Sequence, residues 1–162
     1  VVHDILGWTL SNETLPGTYA WAEQVNPAHN GISGGDMPHA WAAADLVTLI
    51  REMLITEQDD ALVLFAGAGD WWFSEGREIS LQELPTQFGP LSLRTHSTVV
   101  QAEGSWEGTL TLWLAGSAPP EGYRWKVPEQ PQAVTGPEGT ALLDGWLTIP
   151  GTGGTVTITW GA

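Results

Sequence analysis

The residues best suited to chemistry lie in one short stretch. Tyr19, Trp21, Glu23 and Gln24 fall close together, and Asp36, His39 and Trp41 follow after a Gly-rich segment. A carboxylate can move a proton or accept a hydroxyl hydrogen bond. An indole offers a flat apolar face and one N–H donor, which suits stacking on a sugar ring. Glu23 is therefore the candidate catalytic group, with Tyr19 and Trp21 as a stacking wall and Gln24 as a partner for a hydroxyl. The plainer alternative is a solvated loop Glu between two packed aromatics. Asp36, His39 and Trp41 complete the candidate substrate-binding set. Each has a structural alternative: Asp36 as a helix cap, His39 as a local hydrogen-bonding group, Trp41 as packing.

Other chemistries have weaker support. His29, His39 and Asp36 lack any tight metal-ligand spacing, so no metal is expected, and nothing implies another cofactor. Gly31 to Gly35 (GISGG) lacks the Lys-Ser/Thr ending of a phosphate loop, and no G-x-S-x-G elbow is present. Asn12-Glu13-Thr14 matches a glycosylation sequon. His3 and His96 carry no partner signal.

The elements that must position these groups change character along the chain. Val2, Ile5, Leu6, Trp8 and Leu10 are apolar at helical spacing, which predicts the last turns of a helix over residues 1–10. Residues 11–35 read as loop. A second helix is predicted from Ala40 to about Ile55, with Asp36 as its cap and Pro38 in its first turn. Its polar stripe (Asp45, Thr48, Glu52) is narrow, so most of its surface should be covered by neighbours. Residues 56–60 read as a polar connector. Beyond them the period becomes two: Ala61 to Ala66, Glu78 to Leu84, Leu91 to Ala102, Thr109 to Ala115, Tyr123 to Val127, Thr140 to Leu143, Trp146 to Ile149 and Thr155 to Trp160 read as strands broken by Gly and Pro. Asp70 to Phe73 reads as a short helical turn. The expected fold is mostly β: an antiparallel β-sandwich over residues 57–162, preceded by a helix-loop-helix over residues 1–56.

Composition narrows the partners. The 162 residues carry a net charge of −14 with five Lys or Arg, which disfavours nucleic acid and anionic membranes. There are no cysteines, so disulfides and thiolate metal sites are excluded. No apolar run reaches membrane-spanning length and no signal peptide is visible. The chain begins at Val1 without a Met, which reads as the interior of a longer protein. Ten Trp residues would mostly fill a sandwich core. Those left outside, such as Trp71-Trp72 or Trp113, would give a non-catalytic carbohydrate-binding or structural module as the alternative reading.

Tyr19-Ala20-Trp21-Ala22-Glu23-Gln24, then Gly-Gly-Asp-Met-Pro-His and a Trp-containing apolar helix, resembles the closing hairpin of bacterial six-hairpin glycosidases, the (α/α)6 toroids. Glu-Gln in a loop before the last inner helix is similar to the glucoamylase-like family. Residues 79–91 (ISLQELPTQFGPL) resemble the start of a sandwich that follows such toroids. The resemblance implies that Glu23 is the general base of an inverting hydrolysis, and that residues 1–56 are a remnant of the toroid. It also implies that the general acid and the other toroid helices lie outside this chain, so the chain alone would be inactive. A C-terminal sandwich also accompanies glycoside phosphorylases, which leaves phosphorolysis open. The implied partners are a carbohydrate substrate and the absent helices. The apolar helix would equally allow a dimer.

Overall fold

The computed structural model describes residues 2–12, 18, 20–26, 28, 31–102 and 105–161, with the backbone alone for 31–33. Tyr19 and His29 lie outside this set. The chain divides into two compact units, 1–52 and 53–162.

In the first unit, α1 spans Val2–Ser11 and buries Leu6. Its end is marked by side chains that bond back one turn: Thr9 Oγ1 to the Ile5 carbonyl, Ser11 Oγ to Gly7 and Asn12 Nδ2 to Trp8. The Asn12 bond satisfies a carbonyl in the last turn that the helix ladder leaves open, while Thr9 and Ser11 share carbonyls already in the ladder. The segment expected to be loop contains a small antiparallel hairpin, β1 (Gln24–Asn26) with β2 (Gly31–Gly34). Asn26 Oδ1 accepts the Ala28 N–H at 2.9 Å, a side-chain turn that starts the reversal.

The long helix α2 runs Ala40–Leu54, within a residue of its predicted end. It starts at Ala40 as expected, but its cap differs. Asp36 and Pro38 lie ahead of the first helical residue, and His39 Nδ1 accepts the Ala42 N–H at 3.4 Å. His39 is therefore the capping residue. Asp36 does not cap, because it is three positions too early to reach the open N–H groups of the first turn. Part of the apolar surface of α2 also stays open, while Leu46, Leu49 and Ile50 are half-buried. Trp41 is 77 % exposed and Val47 is 68 % exposed, and only Met53 and Leu54 are buried.

Met53 and Leu54 belong to the second unit. The Leu54 carbonyl accepts the Phe65 N–H at 2.7 Å, and the Met53 carbonyl accepts Gly67 N–H at 2.9 Å. The chain passes from α2 into β3 (Ile55–Gln58) without a connector and turns into β4 (Ala61–Leu64). The 3-10 turn Asp70–Phe73 follows. The remaining strands are β5 (Ser80–Leu84), β6 (Leu91–Ser97), β7 (Val100–Ala102), β8 (Ser105–Ala115), β9 (Tyr123–Lys126), β10 (Ala133–Thr135), β11 (Ala141–Leu143), β12 (Trp146–Ile149) and β13 (Gly154–Trp160).

These strands form two sheets, ordered β10-β13-β8-β6-β5 with β7 beside β8, and β11-β12-β9-β4-β3. The unit is mostly β and sandwich-like. Among the described strands every pairing is antiparallel except β4 with β9, and a single parallel bridge joins Ser74 to Val99. The β4–β9 pair needs a crossover, and the residues between its strands supply β5, β6, β7 and β8 of the other sheet.

Period-two alternation puts one face of each sheet inward. Leu91, Leu93, Leu110, Leu112, Leu114, Val156 and Ile158 are buried from the first sheet. Ile55, Leu62, Leu64, Tyr123, Trp125, Leu147 and Ile149 are buried from the second. At roughly 1.5–3 kcal/mol per large side chain, this layer is the main stabilising term. Aromatic rings bridge the two sheets. Phe73 lies 5.1 Å from Trp125 on β9 and 6.1 Å from Trp106 on β8, centroid to centroid. Trp106 in turn lies 4.9 Å from Trp160 on β13.

Candidate functional site

Glu23 sits on a firm mount. The preceding residues, Trp21 and Ala22, are buried, while Glu23 itself is exposed. The Trp21 indole N–H donates to the Thr9 carbonyl at 2.8 Å, which ties the loop to the end of α1. The Trp21 carbonyl accepts the His39 N–H at 2.9 Å, and Glu23 N–H donates to the Asp36 carbonyl at 3.2 Å. Two backbone bonds therefore hold the Glu23 strand entry against the segment leading into α2.

Gly35 completes the mount. Its φ is +83°, a left-handed conformation suited to glycine. A Cβ built there would lie 2.5 Å from both Glu23 Cβ and Oε2. The Glu23 side chain occupies the space that any other residue at 35 would need. Gln24 lies beside Gly34 in the same way, its Oε1 being 3.2 Å from where a Cβ would stand.

The sequence-predicted residues are brought together unevenly. Glu23, Gln24 and Asp36 share one loop junction, and Asp36 contributes its backbone there. Trp21 is a core anchor of the first unit: at 3 % exposure its ring has no open face for stacking. His39 caps α2 and meets Trp41 edge-on, with ring centroids 6.1 Å apart. Trp41 has the open ring face that Trp21 lacks. Tyr19 falls outside the described residues. Among the described residues, no three His, Asp or Glu side chains are placed to hold a metal ion. No described helix is long and apolar enough to cross a membrane.

The indoles of the sandwich divide by strand parity. Trp106, Trp125 and Trp160 are buried, whereas Trp113 is 45 % exposed between the buried Leu112 and Leu114. Trp71 and Trp72 meet edge-to-face at 5.6 Å on the 3-10 turn. They line a shallow concavity with Arg77 and Glu78, and the Arg77 guanidinium lies 5.9 Å from the Trp71 ring centre. Arg77 was not legible as a site residue, because only the turn at Ser74–Gly76 brings it back over the indole. Glu78 is held by a two-pronged bond from Arg94, 2.9 Å from Nε and 3.0 Å from Nη2. That bond keeps the Glu78 carboxyl below its ordinary value of 4.5.

No protein-family model matches this chain, and comparisons with curated proteins and with solved structures give no match either.

Proposed function

We propose that this chain is the closing portion of a carbohydrate-active enzyme that cleaves glycosidic bonds, with Glu23 as the base that activates water. One observation carries the reading: an exposed carboxylate on a buried two-residue anchor, with Gly35 leaving room for it. A general base must be held in place while staying open to solvent and substrate. Inverting hydrolysis needs a second carboxyl group about 6.5–9.5 Å away across the scissile bond. On this proposal that acid comes from helices that pack on the open surface of α2, completing a toroid. Trp41 would then face either those helices or the sugar. The sandwich serves as the support into which the last turn of α2 is stitched.

The test uses the full-length enzyme and a panel of oligosaccharides, with release of reducing ends as the readout. Glu23→Gln keeps the shape of the side chain and removes its basicity. Turnover is expected to fall by about two to four orders of magnitude, the usual scale for a general base, with the melting temperature unchanged. Gly35→Ala, which displaces the carboxylate without altering its chemistry, is expected to reduce turnover as well. Activity of Glu23→Gln within a few-fold of the parent would refute the assignment.

A further inference from the structure

A second cleft lies within the sandwich, away from Glu23 in sequence and in a different unit. It encloses about 300 Å³, the lower end of the range for small-ligand sites. Its lining includes Phe65, Asp70, Trp125, Lys126 and Trp146. We propose that this cleft binds a neutral sugar, one or two pyranose rings in size, stacked on Trp146.

The argument begins with the one open ring. Phe65, Phe73 and Trp125 pack edge-on or tilted at 5.1–5.3 Å and are almost wholly buried, so they form only a floor. Trp146 is 40 % exposed and supplies a flat apolar platform.

The polar groups decide the ligand class. Asp70 offers acceptors only, and Lys126 Nζ offers three donors. One of those donors is used on the Asp144 carbonyl at 2.6 Å. A hydroxyl both donates and accepts, so a polyol matches both groups. A cation would meet Lys126. An anion would meet Asp70 and a protein of net charge −14. A neutral ring with an apolar face and several hydroxyls satisfies every wall.

The platform is set before any ligand arrives. Leu143 and Trp146 pair across the two-residue turn Asp144-Gly145, where both φ values are positive, +51° and +75°. The Lys126 stem crosses Gly145 so closely that a Cβ there would stand 2.9 Å from Nζ. Nζ also lies over the Trp146 ring, 5.7 Å from its centre, so a sugar stacking on that face takes the place of the ammonium, which then donates to a hydroxyl. In the floor, Phe65 is a buried aromatic residue with φ +59°, a strained conformation for a bulky side chain. Such strain clusters at ligand sites. It turns the chain out of β4 toward the segment carrying Asp70. Little ordering is left for binding to do, which favours affinity in a small site.

The ligand class rests on the carbohydrate reading above, but the test is separate from catalysis. The protein is titrated with maltotriose, cellotriose and xylotriose while the indole N–H resonance of Trp146 is followed by NMR. Titration runs to about 10 mM, ten times a millimolar Kd. A saturable shift at Trp146 with at least one sugar is expected, with affinity weakened at least tenfold in Asp70→Asn and the heat of binding, measured by calorimetry, lost in Trp146→Ala. Both variants should keep the parent melting temperature, since both side chains are exposed. A saturable shift in a protein without glycosidase activity would still support the cleft. No saturable shift with any of the three sugars, or a shift that survives Trp146→Ala at another indole, overturns it, even where Glu23→Gln abolishes turnover.

Discussion

Ser97 and Thr98 are neighbours whose hydroxyls do similar work in different surroundings. Ser97 Oγ donates to the Phe73 carbonyl and accepts the Val99 N–H at 3.1 Å, all of it buried. Thr98 Oγ1 lies 3.3 Å from the Thr109 carbonyl and accepts the Thr109 N–H at 3.1 Å, on an exposed side chain. Ser97→Ala creates almost no cavity, so its cost is that of two backbone groups left without partners. A buried unsatisfied group costs about 1–3 kcal/mol, which gives about 2–5 kcal/mol for the pair after some relaxation. Thr98→Ala should cost under about 1 kcal/mol, because water replaces the hydroxyl there. The Thr109 carbonyl also keeps its bond from the Thr98 N–H at 2.9 Å. The assay is urea unfolding followed by tryptophan fluorescence, since Trp106 and Trp125 both lie beside Phe73. The two variants should share the parent slope against urea and differ in midpoint. Equal losses would refute the reasoning, because burial would then not be what makes the Ser97 bonds matter.

Tyr123 carries a related expectation. Its hydroxyl donates to the Ser117 carbonyl, and burial pushes its pKa above the ordinary 10.0. Tyr123→Phe should cost about 1–3 kcal/mol near neutral pH by stranding that carbonyl. Above pH 10 the unfolded chain ionises its tyrosine before the folded one does, so the parent loses stability with rising pH and the gap to Tyr123→Phe narrows. Unfolding midpoints measured from pH 7 to 11 check both parts; a constant gap would contradict the second. Glu78 runs the other way. Its folded value lies below 4.5, so the contribution of the Arg94 bond is fully present above 4.5 and is lost as pH falls through that lowered value. An NMR titration of the Glu78 carboxyl should give a midpoint below 4.5 in the parent and a higher one in Arg94→Gln. A parent midpoint at or above 4.5 would show that the bond does not persist in solution.

What could be read from the chain alone was whatever is written in local periodicity. Leu91 to Ser97 and Gly154 to Trp160 alternate strictly, and both are strands with every second residue inward. The apolar run of α2 gave its length almost to the residue. The strands not anticipated are those whose side chains carry no pattern. β3 and β10 lie at sheet edges, where polar residues such as Gln58 and Thr135 face solvent and look like connectors. The β1–β2 hairpin is made partly of Gly31 and Gly34, which have no side chain to alternate.

Glu23, Gln24 and Asp36 could be singled out from residue type, because a carboxylate among aromatics and glycines is an uncommon grouping. Their roles needed coordinates. Asp has the stronger capping propensity, yet His39 caps α2, since a cap must stand next to the first helical residue. Trp21 and Trp41 are the same residue type in similar surroundings in the sequence. One is a buried anchor whose indole N–H donates to the Thr9 carbonyl, and the other lies open on the surface of α2. The parallel pairing of β4 with β9 and the cleft beside Trp146 join residues some sixty to eighty positions apart. Local pattern fixes which face of a strand is buried; which strands become neighbours is settled by how two sheets can close over one core.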